Sequence, residues 1–156
     1  MGHIKYASDV GAPVEVAFTY TDNHQFVPDW MFGVTAFEPR GELDQGLGAV
    51  FGTHAGLGPW RPKLACEITE YRRNVVIGYT LSGRLSGTLT LRFDPLGYGR
   101  SVLTSEAEYA PPGGLFGRLC LRVVDAAVRS ALRRTESQLR REIEEFHGTD
   151  LVGRIA

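Results

Sequence analysis

A stretch without proline or glycine near the carboxyl end constrains the fold of this chain more than any other feature. Apart from Gly117, residues 115–147 contain neither residue type, and apolar side chains return along them at helical spacing. The stripe comprises Val124, Val128, Ala131, Thr135, Leu139, Ile143 and Phe146. The pattern predicts one helix from Leu115 to His147, about 50 Å long, which Gly148 can terminate. Such a helix needs a large apolar partner surface in the same domain.

The rest of the chain predicts that partner surface, because it contains many short β-rich segments. After a first strand over Ile4–Val10, two short helices are expected, from Val14 to Asn23 and from Gln25 to Trp30. Six further strands are predicted between glycine-containing turns: Val34–Glu38, Gly48–Ala55, Lys63–Glu70, Val75–Ser82, Leu85–Phe93 and Ser101–Tyr109. Short links join antiparallel neighbours. The expected α+β fold is therefore a curved antiparallel seven-stranded sheet wrapped around a long carboxyl-terminal helix, in the order β-α-α-β6-α.

The strands predict a sheet with one buried and one solvated face. In Leu85–Phe93 the odd positions are apolar or glycine and the even positions are polar. The predicted helix carries small residues in its middle, namely Ala126, Ala127, Ser130 and Ala131. Small residues facing a sheet either let the two backbones approach closely or leave room for a bound molecule. A strongly bent sheet favours a cavity, since a straight helix cannot touch it along its whole length.

Composition bounds the protein class. With 156 residues we expect one domain over residues 1–156, with a flexible tail over 148–156. The net charge of -1 argues against a surface built for nucleic acid, and no apolar stretch is long enough for a membrane span. The amino end lacks an apolar signal-peptide core. Cys66 and Cys120, far apart, are interpreted as buried thiols, so we expect a cytoplasmic protein.

Several segments resemble the START-like superfamily, also called SRPBCC, with the helix-grip or birch-pollen-allergen-like fold. They are Pro13-Val14-Glu15-Val16-Ala17-Phe18, Gly46-Leu47-Gly48-Ala49-Val50-Phe51-Gly52, Ile68-Thr69-Glu70-Tyr71 and Phe93-Asp94-Pro95. The chain looks most similar to the bacterial polyketide cyclase/dehydrase group, although Arg72-Arg73 departs from its pattern. The resemblance implies an apolar cavity between sheet and terminal helix. It also implies functions that range from cyclising poly-β-ketones to carrying lipids, hormones or quinones.

Residues for chemistry are few on the predicted inner face. Tyr79 shares its strand face with Ile77, while Ser105 and Tyr109 share one face of the last strand. A phenol on a cavity wall can donate a hydrogen bond to a ligand carbonyl or enolate, as an aldol-type cyclisation requires. A core tyrosine whose hydroxyl reaches water or backbone is the alternative. Tyr79 and Tyr109 are thus candidate catalytic residues.

His54 is the third candidate catalytic residue, since it ends a strand near the expected cavity mouth and histidine is a general base near neutral pH. The strand pattern leaves open which face carries it, and a solvated surface histidine is the alternative. The expected ligand-binding side chains lie on the sheet, the terminal helix and the rim: Trp30, Phe51, Trp60, Ile77, Leu89, Leu91, Ser105, Leu119, Val123 and Ala127. Trp30 and Trp60 either stack on a flat ligand or plug the core.

Metal, nucleotide and serine-hydrolase signatures are absent, so no metal and no cofactor are expected. The arginines of the terminal helix alternate with acidic residues that include Asp125 and Glu136, which indicates a solvated helix face.

The expected partner is a hydrophobic, aromatic, isoprenoid- or lipid-like small molecule, bound by a monomer or homodimer. The sequence leaves three functions open: a cyclase, aromatase or dehydratase for polyketides, a carrier or sequestering protein for a hydrophobic natural product, and an interaction module.

Overall fold

The computed structural model describes residues 2–55, 63–83, 86–110 and 121–155. The chain begins with β1 (Gly2–Val10), α1 (Val14–Asp22), a 3₁₀ turn (His24–Phe26) and α2 (Val27–Trp30). Six strands follow: β2 (Val34–Pro39), β3 (Val50–Ala55), β4 (Lys63–Arg72), β5 (Val76–Gly83), β6 (Gly87–Gly97) and β7 (Arg100–Tyr109). The last element is the long helix α3 (Leu121–Ile155).

The seven strands form one antiparallel sheet in the order β1-β7-β6-β5-β4-β3-β2. Consecutive strands are neighbours from β2 to β7, and β1 joins the far side by pairing with β7. The register shifts between Ile68 and Glu70 and between Pro95 and Gly97. Such irregularities increase the local bend and twist of a sheet. The predicted fold class, an antiparallel seven-stranded sheet with two short helices and a long terminal helix, is confirmed.

The sheet buries one face against the helices, as the strand patterns predict. Leu89, Leu91 and Phe93 are buried on β6, whereas Arg92 between them is exposed. On β7 the hydroxyl-bearing Ser105 shares the buried face with its apolar neighbours at positions 103 and 107. We call this side of the sheet, which faces α1, α2 and α3, the inner face.

Helix α3 packs against β1, β7, α1 and α2, and its buried side chains lie in its middle. Among its described side chains, burial begins at Leu132 and continues at Leu139 and Ile143. The predicted end at Gly148 is wrong, since the helix runs through this residue to Ile155. Glycine inside a helix costs only about 1 kcal/mol relative to alanine, so it does not by itself stop one. The predicted beginning at Leu115 lies outside the described residues, and the flexibility of the tail stays a prediction.

The small residues of α3 do not face the sheet. Ala126, Ala127 and Ser130 are exposed, and Val128 and Ala131 are half-buried. Among the described side chains before Leu132, only Asp125, Val128 and Ala131 are half-buried, and Val128 packs against the core. Within the described part of the chain, no helix has the length and apolar character needed to cross a membrane.

Candidate functional site

Aromatic side chains from α2 and three strands meet on the inner face. Phe37 stacks on Phe51 at 4.4 Å between ring centroids, because β2 and β3 are adjacent antiparallel strands. Tyr79 of β5 meets the edge of Phe37 at 6.3 Å, and Trp30 lies 6.5 Å from Tyr79. All four rings are buried. We call these four residues the aromatic wall.

Polar groups at this wall lack protein partners. Trp30 Nε1 and Thr53 Oγ1 are buried and have no hydrogen-bond partner among the described residues. Tyr79 lies beside them and is only 3% exposed. Burial, helped by Cys66 and Asp22, raises the pKa of Tyr79 well above its ordinary value. The phenol is therefore held in its protonated, hydrogen-bond-donating form.

A buried carboxyl group lies on the helix side of the inner face. Glu136 of α3 is 7% exposed, and its Oε1 accepts a hydrogen bond from Ser105 Oγ at 3.1 Å. Desolvation raises the pKa of Glu136, while the bond from Ser105 opposes the shift. The prediction that Glu136 belongs to a solvated face is wrong. Its spacing from Leu132 and Leu139, four and three residues away, was the signal that could have placed it in the buried stripe.

Tyr109 lies where β7 approaches the start of α3. Its hydroxyl donates a hydrogen bond to Asp125, which also accepts one from Arg129 Nε at 3.1 Å. Burial and the bond to Asp125 raise the pKa of Tyr109 to about 12. The hydrogen bonds from Tyr109 and Arg129 lower the pKa of Asp125. Tyr109 is thus occupied by an ionised partner at the end of the inner face and is separate from the aromatic wall.

His54 lies on the opposite side of its strand from the aromatic wall. Phe51 and Thr53 are buried on the inner face of β3, whereas Gly52 and His54 are half-buried on the other side. The alternation of side chains along a strand imposes this separation. The structure decides the face that the sequence left open, and it does not bring His54 to Tyr79.

The remaining predicted ligand-binding residues divide into three groups. Ile77, Leu89 and Leu91 are buried on the inner face, as is Ser105. Val123 is 69% exposed and Ala127 is exposed, so the structure does not bring these two side chains to the aromatic wall. Trp60 and Leu119 lie outside the described residues. A ligand-binding role for any of these residues stays a prediction.

A separate cavity of about 450 Å³ lies near the turn between β4 and β5, and the sequence patterns did not predict it. Seven residues line it: Phe18, Thr19, Asp22, Gln45, Gly46, Tyr71 and Arg73. Tyr71 Oη donates a hydrogen bond of 2.8 Å to Asp22 Oδ2. Burial and this bond raise the pKa of Tyr71 to about 12.

Comparison with solved structures places this architecture in a known class. A protein from Thermus thermophilus superimposes with a TM-score of 0.78 at 14% identity, covering 91% of this chain and 97% of that chain. The Zhui aromatase/cyclase from a Streptomyces species gives a TM-score of 0.72 at 18% identity, covering 92% and 93%. A START superfamily protein from Mycobacterium smegmatis gives a TM-score of 0.74 at 13% identity, covering 92% of this chain and 97% of that chain. At these identities the likeness shows the fold alone.

The sheet, the terminal helix and these structural neighbours define a protein with the helix-grip fold that START superfamily structures share. The sequence profile of the family described as polyketide cyclase / dehydrase and lipid transport matches residues 1–144. The chain belongs to that family. Membership of this family supports binding of a hydrophobic ligand in this fold. None of the curated proteins compared with the chain matches it.

Proposed function

We propose that the protein binds a hydrophobic small molecule with a carbonyl group, of polyketide or isoprenoid type, against the aromatic wall. The observation that carries this proposal is a pair of buried polar atoms at the wall, Trp30 Nε1 and Thr53 Oγ1, that have no hydrogen-bond partner among the described residues. A buried polar group without a partner costs about 1–3 kcal/mol, which a bound ligand that supplies the partner recovers. Tyr79, whose ring is buried beside Trp30, donates a further hydrogen bond to the ligand carbonyl.

The neighbouring groups support the same ligand chemistry. Trp30 Nε1 is a donor, and Thr53 Oγ1 is a hydroxyl that can donate or accept. The stacked rings of Phe37 and Phe51 provide a flat apolar surface beside them. Few polar groups on a mainly apolar wall are typical of sites that orient a hydrophobic ligand.

Transport or sequestration of a hydrophobic natural product is the function that this arrangement favours. Three ionisable groups buried between the sheet and the helices, Tyr79, Cys66 and Glu136, have raised pKa values and are biased towards their neutral forms. His54, the candidate general base, lies on the other side of β3. The proposed site therefore offers hydrogen-bond donors for holding a ligand without an adjacent histidine base.

Cyclisation or dehydration of a polyketide is the second candidate, favoured by the carboxyl of Glu136 beside Ser105, whose raised pKa biases it towards its neutral form. In this reaction, a methylene carbon between two ligand carbonyls loses a proton to water and attacks another carbonyl carbon of the ligand, so that a carbon–carbon bond forms and the carbonyl π bond breaks. The Tyr79 hydroxyl stabilises the negative charge that develops on the carbonyl oxygen, and the Glu136 carboxyl protonates that oxygen. In the loss of water, the Glu136 carboxylate takes the remaining α-proton and delivers it to the leaving hydroxyl, so that a carbon–carbon double bond forms as the carbon–oxygen bond breaks.

Binding by Tyr79→Phe tests the proposal, because phenylalanine keeps the ring and removes the hydroxyl. Binding is measured by fluorescence titration with 1,8-dihydroxyanthraquinone and by its competition with farnesal, an isoprenoid aldehyde. Native mass spectrometry of the protein as purified detects any retained small molecule. We expect saturable binding that weakens about tenfold in Tyr79→Phe. Tyr98→Phe is the matched control, since Tyr98 is fully exposed, and it should bind like the parent. Equal affinities of all three proteins, or no binding of either probe, would contradict the proposal.

Turnover distinguishes the two candidate functions. Incubation with a reactive linear poly-β-ketone, followed by chromatography of the products, should give the same product distribution with and without protein if the protein only carries its ligand. A protein-dependent cyclic product that is lost in both Tyr79→Phe and Glu136→Gln would establish the second candidate instead.

A further inference from the structure

The cavity of about 450 Å³ near the β4–β5 turn suits a different kind of ligand from the aromatic wall. Five of its side chains combine two rings with three polar groups, namely Phe18, Tyr71, Asp22, Gln45 and Arg73. This volume lies within the range of about 300–1,000 Å³ that is typical of small-molecule sites. None of the residues that line this cavity belongs to the aromatic wall, so ligand binding here does not depend on the proposed function.

Only one oxygen of the Asp22 carboxylate is satisfied. Oδ2 accepts hydrogen bonds from Tyr71 Oη and from the Gln45 amide. Oδ1 is buried and has no hydrogen-bond partner among the described residues. A carboxylate oxygen removed from water without a donor is costly, and a donor that reaches it from the cavity relieves that cost.

The position of Asp22 in the chain adds a second cost. Asp22 is the last residue of α1, the end of a helix where the partial charge is negative and cations are favoured. A carboxylate there weakens the helix instead of stabilising it. Residues that violate a local stability rule are expected at functional sites. A positively charged group beside Asp22 lowers both costs, because it pairs with the free carboxylate oxygen and offsets the negative charge at the end of the helix.

Arg73 provides the opposite charge on the same cavity. Its guanidinium forms no ion pair with Asp22 or with any other carboxylate in the described parts of the chain. Guanidinium groups bind carboxylates strongly and often through two hydrogen bonds. Two opposite charges that line one cavity without pairing to each other match a molecule that carries both charges.

We propose that this cavity binds a small zwitterion, specifically a free α-amino acid with an aromatic side chain. The ammonium group pairs with Asp22, the carboxylate pairs with Arg73, and the side chain lies against Phe18 and Tyr71. These two rings already meet edge to face, with centroids 5.6 Å apart. A neutral hydrophobic molecule satisfies neither charge.

Calorimetric titration with three related probes tests this inference. L-phenylalanine carries both charges, phenethylamine carries only the ammonium group, and hydrocinnamate carries only the carboxylate. We expect saturable binding of L-phenylalanine and binding of each single-charge probe that is weaker by about tenfold or more. Absence of saturable L-phenylalanine binding, or equal binding of phenethylamine, would overturn the proposal.

Variants identify the site. Asp22→Asn and Arg73→Gln should each weaken L-phenylalanine binding about tenfold, whereas Arg72→Gln should stay within about twofold of the parent. Arg72 is the matched control because it is an adjacent exposed arginine that is not among the residues lining the cavity. Arg73 is exposed, so Arg73→Gln should fold normally and can be tested even if Asp22→Asn unfolds. Unchanged binding in Arg73→Gln would refute the assignment, and binding of 1,8-dihydroxyanthraquinone by the same variants reports the aromatic wall independently.

Discussion

Ser105 and Glu136 face each other where β7 meets α3, with a hydrogen bond of 3.1 Å from the serine hydroxyl to the glutamate carboxyl. Both residues are buried, so a polar pair lies inside the contact between the sheet and its terminal helix. Burial favours the neutral carboxyl, and this gives the contact a dependence on pH.

Glu136→Gln should remove that pH dependence. Because the pKa of Glu136 is raised in the folded state, its stabilising contribution is complete below the ordinary value of 4.5. That contribution is lost as the pH rises through the higher folded-state pKa. Relative to the parent, the thermal midpoint of Glu136→Gln should therefore increase between pH 4 and neutrality. Thermal unfolding across this range measures it, and a constant difference at all pH values would show that Glu136 ionises as freely as an exposed glutamate.

Leu139→Ala should destabilise the protein strongly, because Leu139 is fully buried at the centre of the α3 contact. The free energy of unfolding should fall by about 2–5 kcal/mol. Val123→Ala is the control on the same helix. At 69% exposure its effect should stay within about 0.5 kcal/mol. Urea unfolding compares the two, and similar losses in both variants would mean that the first turns of α3 contribute to the core as much as the second half.

Thr53→Val should separate stability from ligand binding. The hydroxyl of Thr53 is buried without a partner among the described residues, and valine has nearly the same shape. The ligand-free protein should be unchanged or more stable by about 1 kcal/mol, while affinity for a carbonyl ligand should fall. Thr80→Val is a suitable control, since it removes a hydrogen bond to Thr69 on the exposed face. A clear loss of stability in Thr53→Val would reveal a partner for this hydroxyl.

Asp22→Asn should lower the pKa of Tyr71 from about 12 towards the ordinary value of 10.0. The shift should be partial, because burial of Tyr71 is its largest cause and the hydrogen bond to Asp22 is the next. Ultraviolet titration of phenolate formation measures it, with Tyr71→Phe identifying the contribution of this residue. The raised pKa also means that Tyr71 stabilises the fold fully below pH 10 and loses this effect as pH rises through 12. If the pKa of Tyr71 is the same in Asp22→Asn and in the parent, Asp22 does not contribute to the raised pKa of Tyr71.

Local periodicity was enough to predict the architecture. Alternation along β6 identified Leu89, Leu91 and Phe93 as buried, and helical spacing identified Leu139 and Ile143 as the buried stripe of α3. Both patterns follow from backbone geometry that repeats within a few residues. The same local signals were insufficient at the helix ends, where glycine at position 148 is accommodated within α3.

The candidate sites depended on contacts that no local pattern encodes. Ser105 and Glu136 are 31 residues apart, and Asp22 and Tyr71 are 49 residues apart. The face that carries His54 was ambiguous because glycine and polar residues alternate around it, and strand pairing decided it.

Thus the sequence by itself determined which segments form strands and helices and which of their faces are apolar. Only the tertiary structure decided which polar groups are buried together, since that depends on how distant segments meet. A buried hydroxyl or carboxylate is indistinguishable in sequence from a solvated one until its neighbours are in place. Burial then changes its pKa and its hydrogen-bonding needs, as it does for Tyr79 and Glu136.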